Sequence, residues 1–156
     1  MFSTFSISTY VFITMTINEI QDQIISEFEL FDNWNDKYEY IIELGKKLPN
    51  LNEIHKTDIN KIKGCQSNVW LTANLNEGIL YFEADSESVI VKGLVSLLIR
   101  VLSGHSPKEI TNADLYFIEK IGMTSHLAQT RSNGLLSMLK QMKFYALAFE
   151  TKLANS

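Results

Sequence analysis

The sequence predicts an α+β fold, with a small antiparallel sheet of about three strands covered by helices from both ends of the chain. Three observations carry this expectation. Apolar residues recur at helical spacing from Ile17 to Leu48 and again from Leu135 to Phe149. Between those stretches, Val69 to Ala84 alternates as a hairpin does. Directly after the hairpin, Val89 to Ser103 is apolar nearly all round, as a helix buried against a sheet is. Helices and strands are thus segregated along the chain, which favours an antiparallel sheet over alternating βαβ units.

The first helix is expected to start at Thr16. Thr16-Ile17-Asn18-Glu19 fits a capping box, with Met15 and Ile20 placed for a hydrophobic staple. Ile17, Ile20, Ile24, Phe28 and Phe31 form its stripe, which stops at Asp32-Asn33. A second helix is expected from about Asn35 to Lys47. Trp34, Tyr38, Ile41 and Leu48 share one face, and Gly45 on that face permits close packing or marks a frayed end. Leu48-Pro49-Asn50 ends it.

The stretch from Leu51 to Asp58 is polar and irregular. Ile59 to Lys63 is expected to form a third strand leading into Gly64-Cys65. In the hairpin, Asn76-Glu77-Gly78 reads as a three-residue connection with Gly at a left-handed position. Asp85-Ser86-Glu87-Ser88 offers caps for the apolar helix, which Gly104 closes. Ser106-Pro107-Lys108-Glu109 is a further helix start, with a short helix near Asn112 to Ile121. The last helix is expected from about Ser132 to Lys152, opened by a polar turn at Thr130 to Gly134.

The chain has 156 residues, enough for one domain with a sizeable core. That domain is expected over residues 15–156, with residues 1–14 a disordered or spurious extension and translation starting at Met15. The opening segment has no Lys or Arg, so it lacks the basic start of a secretory signal. Val89 to Leu102 is too short and too charged, at Lys92 and Arg100, to span a membrane. With 14 basic and 18 acidic side chains the net charge is −4, the wrong balance for a protein that lives on nucleic-acid phosphates. One cysteine excludes an intrachain disulfide, a four-cysteine zinc site and a self-ligated iron–sulfur cluster. Three scattered histidines, His55, His105 and His126, give no metal spacing; His105, after a helix-closing Gly, is placed to cap carbonyls.

Cys65 is the residue with chemical potential. A lone cysteine is most often a small buried hydrophobe. Cys65, however, follows Gly64 and precedes Gln66-Ser67 at the start of a strand, where a loop exposes a side chain while the sheet fixes it. Lys61 and Lys63 are near enough in sequence to favour a thiolate, or are solvated charges on an edge. Arg131 lies near a helix N-terminus, the wrong sign for the dipole, which implies a partner such as Asp85 or an anion; the alternative is an ordinary surface arginine.

Asn33-Trp34-x-x-Lys37-Tyr38-x-Tyr40-Ile41-Ile42-Glu43-Leu44-Gly45-x-x-Leu48-Pro49 resembles the opening of the SufE family of sulfur-acceptor proteins. Ile62-x-Gly64-Cys65-Gln66-Ser67-x-Val69-Trp70 resembles that family's signature around its reactive cysteine. Asp85-Ser86 with Ile90 to Leu94, and His126-Leu127 with Thr130 to Leu135, are similar to its later blocks. Gln129 stands where many members have Pro. The resemblance covers about Asn33 to Leu147 in the expected order and has no counterpart for Met1 to Thr14.

The resemblance implies the fold shared with IscU-type scaffolds and a carrier of sulfane sulfur. Such a protein takes persulfide sulfur from a pyridoxal-phosphate cysteine desulfurase, stimulates that enzyme, and passes sulfur on to an iron–sulfur scaffold. It is a carrier rather than an enzyme, holds no cofactor or metal, and is cytoplasmic, a monomer or weak homodimer. Cys65 is the implied acceptor. A persulfide needs shielding, for which an apolar pocket beside Val69, Trp70 or the buried helix is expected; Arg131 oriented by Asp85 would offset the burial. Two rival readings remain at this point: a cluster scaffold borrowing ligands from a partner, and an interaction domain in which Cys65 is inert.

Overall fold

The computed structural model describes residues 15–126 and 129–156, with side chains given up to 125 and from 134 onward. The extension expected at 1–14 lies outside the described residues. Helix α1, Ile17–Phe28, opens with the expected reciprocal cap: Glu19 N donates to Thr16 Oγ1 at 3.0 Å, and Thr16 N donates to Glu19 Oε1 at 3.2 Å. Helix α2, Trp34–Lys46, is capped by Asn33, whose side chain accepts from Asp36 N. Two short 3₁₀ turns follow, Glu53–His55 and Asp58–Asn60.

Among the described residues the sheet has two strands, β1 (Val69–Asn76) and β2 (Ile79–Ser86), paired antiparallel with Asn76 opposite Ile79. The expected third strand shrinks to a single bridge between Lys61 and Trp70. The reason is local. The turn at Asp58–Asn60 uses the residues a strand would need, and Gly64, at φ +90, bends the chain away immediately after. The hairpin loop is also tighter than expected. Only Glu77 and Gly78 connect the strands, both at positive φ, the pattern of a type I′ turn whose twist matches the strands.

Helix α3, Val89–Leu102, packs on the sheet and lies at the centre of the core. Leu94, Val95, Leu98, Val101 and Leu102 have no solvent exposure. Helix α2 crosses α3 where Gly45 meets Gly93: a Cβ on Gly45 would fall 2.6 Å from Gly93 N, and one on Gly93 would run into the Ile41 carbonyl. Gly45 is therefore a close-packing glycine. Beyond α3, His105 does bridge carbonyls, with Nδ1 3.3 Å from Leu102 O and Nε2 3.0 Å from Met15 O. Its ring ties the end of α3 to the entry of α1.

The short helix expected near Asn112 to Ile121 is two helices, α4 (Pro107–Asn112) and α5 (Phe117–Lys120). Gln21 explains the break. Its buried side chain donates to Asp114 O at 3.0 Å and accepts from Phe117 N at 3.2 Å, so the interrupted backbone is satisfied by α1. Helix α6 is Met123–His126 and α7 is Gln129–Ala154. The polar turn expected at Thr130 to Gly134 lies instead within the first turns of α7. Thr, Ser, Asn and Gly have poor helix propensity, which is why the sequence alone suggests a turn there. Among the described residues no helix is long and apolar enough to cross a membrane.

Candidate functional site

The segment carrying Cys65 is a loop closed at its base by the sheet. Ile62 N donates to Val69 O at 2.8 Å, and the buried Ile62 side chain anchors the approach. On the far side, Asn68 O accepts from Ser86 Oγ at 2.8 Å and from Glu87 N at 3.3 Å, so the loop is also tied to the turn between β2 and α3. Two contacts then lay the loop on α7. A Cβ on Gly64 would fall 2.7 Å from Ser137 Oγ, and Gly64 also holds a left-handed φ that disfavours any other residue. One turn earlier on α7, Gly134 faces Cys65.

Cys65 is half-buried. Its Sγ lies 3.7 Å from Gly134 O, in reach of a weak S–H donation to that carbonyl. Beside it is a cavity of about 130 Å³ lined by Gln66, Ser67, Ser88, Val91, Gly134 and Met138 as well as Cys65 itself. That is room for more than one water-sized group, each taking roughly 30 Å³. The pocket is mixed rather than apolar: Gln66, Ser67 and Ser88 bring polar groups, Val91 and Met138 the apolar wall. The expected neighbour α3 supplies Val91 and its N-cap Ser88, whereas Val69 and Trp70 do not line it.

Burial pushes the Cys65 thiol above the ordinary cysteine range. No cation among the described residues offsets this, so the expected help from Lys61 and Lys63 is absent. Lys61 instead faces Asp58 at 3.5 Å. Among the described residues, then, Cys65 is held by the geometry of its loop, and burial opposes its thiolate. Arg131 sits in the first turns of α7, and its side chain, like that of His126, lies outside the described residues.

Asp85 is placed otherwise than as an anion facing only Arg131. It is buried opposite Trp70 at the end of β2. Its carboxylate accepts from Leu51 N at 3.1 Å and from Ser86 N at 2.8 Å, and faces Lys56 and Lys92, each at 3.4 Å. Desolvation raises its pKa, but the two backbone donors and two lysines outweigh that and hold it below the usual carboxylate range. Lys56 also lies over the Trp70 ring, 5.6 Å from its centroid. Asp85 therefore fastens the irregular segment before the Cys65 loop onto the sheet. Any pairing with Arg131 lies outside the described residues.

Ser88, Val91 and Met138 were not singled out as site residues from sequence. Ser88 was legible only as a cap of α3, a role it has, its side chain accepting from Val91 N at 3.4 Å. Met138 sits one turn beyond Gly134, and that spacing was the signal for it. Among the described residues no group of three His, Cys, Asp or Glu side chains is arranged to hold a metal ion.

Comparison with known proteins bears on this geometry. The SufE family model, described as an Fe-S metabolism associated domain, matches residues 22–146. An uncharacterized SufE-like protein of Rhizobium meliloti strain 1021 is 44% identical over 127 residues, covering 78% of this chain and 91% of that protein. An uncharacterized SufE-like protein of Rhizobium etli is also 44% identical over 127 residues, 78% of this chain and 86% of its own length. Among solved structures, the solution structure of a hypothetical protein from Thermus thermophilus superposes with a TM-score of 0.70 at 18% identity, over 85% of this chain and 96% of that one, a likeness of fold. The matched segment contains the Cys65 loop, its cavity and most of α7, and the chain belongs to the SufE family of Fe–S metabolism associated domains.

Proposed function

We propose that this protein is a sulfur carrier that accepts persulfide sulfur on Cys65 from a pyridoxal-phosphate cysteine desulfurase. It stimulates that enzyme by relieving it of sulfur and passes the sulfur on for iron–sulfur cluster assembly. It is a carrier, not an enzyme, and works in the cytoplasm, where thiols stay reduced. The observation that supports this most is the placing of the chain's lone cysteine, on a loop pinned at both ends, beside a cavity of about 130 Å³.

The step is a displacement of the thiol–disulfide type. The Cys65 thiolate attacks the terminal sulfur of the donor's cysteine persulfide. A new S–S bond forms at Cys65 Sγ, the donor's S–S bond breaks, and the donor cysteine leaves as a thiolate. No oxidant is consumed. Having no second cysteine suits the task, because a neighbouring thiol would release the cargo as an intrachain disulfide. Burial opposes formation of the attacking thiolate, so a cation has to arrive. Arg131, at the start of α7, is the candidate within the chain.

The test is mass spectrometry after incubation with a desulfurase and cysteine. The wild type is expected to gain one sulfur atom on Cys65. Cys65→Ser, whose hydroxyl stays protonated at neutral pH, is expected to gain none and to compete with wild type for the desulfurase. Bound iron in place of added sulfur would favour a scaffold. No mass change at all would make Cys65 an inert core thiol. Stimulation of the desulfurase by Cys65→Ser equal to that of wild type would replace the carrier with an allosteric activator.

A further inference from the structure

A second concave surface runs beside the Cys65 loop. It is a groove of about 560 Å³ between the segment Asp58 to Lys63 and α7, where Lys140, Gln141, Phe144 and Tyr145 form the opposite wall. Two of its features are unusual for an idle surface. Ile59 and Phe144 are large apolar side chains left 91% and 63% exposed. Lys61, Lys63 and Lys140 place three cations along it, with Asp58 the one carboxylate in its lining. Lys61 is answered by Asp58, but Lys63 and Lys140 have no carboxylate within ion-pair reach among the described residues. The chain as a whole is acidic, with a net charge of −4, so this patch runs against the general field.

The groove is also continuous with the cysteine site. Lys63 is two residues before Cys65, and Ser137, which meets Gly64, lines the groove one turn along α7 from Gly134. A chain seated in the groove comes out beside Cys65. We propose that this groove docks an acidic segment, anchored by an apolar side chain, of the protein that donates sulfur to Cys65. This rests on the carrier reading above and adds to it the chemistry of the partner's contact. The anchor packs against Phe144 and Ile59, and the partner's carboxylates answer Lys63 and Lys140. Charge complementarity of this kind sets encounter rate and orientation. Exposed aromatic side chains in a concave setting supply the anchoring contact.

The experiment titrates a cysteine desulfurase, loaded with pyridoxal phosphate, against fluorescently labelled protein, and in parallel measures sulfur uptake on Cys65. The variants are Lys140→Glu and Phe144→Ala, both exposed side chains with no part in the Cys65 cavity. Lys140→Glu is expected to weaken binding roughly tenfold or more, as like charges across an interface do. That loss should shrink in high salt, whereas the loss in Phe144→Ala should persist. Uptake at saturating desulfurase and the rate of iodoacetamide labelling of Cys65 should match wild type in both. Binding equal to wild type in both variants overturns the groove while leaving sulfur transfer intact. If wild type binds the desulfurase through the groove but gains no sulfur, the carrier reading fails and the docking surface stands. If wild type does not bind, or self-associates in a way that Phe144→Ala abolishes, the groove's occupant is not the donor and the proposal falls.

Discussion

At the crossing of α2 and α3, a Cβ on Gly93 would fall 2.6 Å from Ile41 Cγ2 and into the Ile41 carbonyl. At the Cys65 loop, a Cβ on Gly134 would find Sγ at 3.5 Å, an ordinary contact. The same residue type thus does opposite work in the two places. In the first, glycine lets two helix backbones meet, and the space is filled by backbone that cannot give way. In the second, glycine keeps a side chain away from a sulfur and leaves part of a cavity open. The first region should respond to added volume as a stability problem and the second as a problem of access.

The largest expected effect belongs to the packed region. Leu98 is fully buried in the middle of α3. Leu98→Ala should cost about 2–5 kcal/mol, from lost transfer energy and the cavity left behind. Chemical denaturation followed by circular dichroism measures it. A midpoint equal to wild type would mean that α3 is not the element on which the sheet and α2 are assembled. Gly93→Ala comes next. Alanine is the better helix former by about 1 kcal/mol, yet overpacking against rigid backbone, at the upper end of about 1–3 kcal/mol, should leave a net loss of roughly 2 kcal/mol. A variant as stable as wild type would show that the crossing is loose enough to part, and the contrast with Gly134 would disappear.

How far these regions were legible from sequence differs for a physical reason. The packed region is written in local patterns. The Thr16 capping box, the alternation from Val69 onward and the apolar run of α3 each reflect a preference of neighbouring residues. Gly45 stood out because a glycine inside a helical stripe is costly unless something needs the space. The Cys65 site is assembled from a loop, the cap of α3 and two turns of α7, and its Sγ to Gly134 O contact joins residues 69 positions apart. No local signal reports such a meeting. The cysteine itself stood out as the lone thiol at a loop–strand junction, and the resemblance of its neighbourhood to a family supplied its role, but the cavity walls at Ser88, Val91 and Met138 needed the tertiary structure. Where sequence reasoning erred, one cause was tertiary and one was a local turn that the alternation of apolar residues does not report. Gln21 breaks the helix expected near Asn112 to Ile121, and a single bridge at Lys61 replaces a strand.

Asp85 sits between the two regions and tests whether they are separable. Asp85→Asn keeps an oxygen to accept from Leu51 N or Ser86 N but removes the carboxylate facing two largely covered lysines, leaving Lys92 with the Asn50 amide oxygen and Lys56 with the exposed Glu53. The expected cost is about 1–3 kcal/mol, the usual penalty for unsatisfied buried polar partners. The sign of its pH dependence is fixed by the depressed carboxylate pKa. The wild type's advantage over Asp85→Asn should be complete above the ordinary aspartate range and should fade as pH falls through the lowered folded value. An advantage that does not change with pH would mean the lysines hold nothing. If Asp85→Asn also alters Cys65 labelling at unchanged global stability, the segment it fastens governs the loop.

The smallest effect on stability, and the sharpest on chemistry, is expected at Gly134. Gly134→Ala removes a poor helix former from α7 and, among the described residues, meets nothing closer than Cys65 Sγ at 3.5 Å, so the fold should gain up to about 1 kcal/mol or stay level. The added methyl, however, sits against the sulfur, on the wall of a cavity of about 130 Å³. Iodoacetamide labelling of Cys65 and uptake of sulfur should both slow. The thiol pKa is raised by burial, so wild-type labelling should accelerate with pH around a midpoint above that of the same cysteine in the unfolded chain. In Gly134→Ala the labelling rate should drop across the whole profile, and a further rise in that midpoint would show added desolvation on top of the steric block. Loss of stability with unchanged labelling is the opposite result. It would make Gly134 a packing glycine like Gly93, and the space beside Cys65 would lose its claim to be where the sulfur goes.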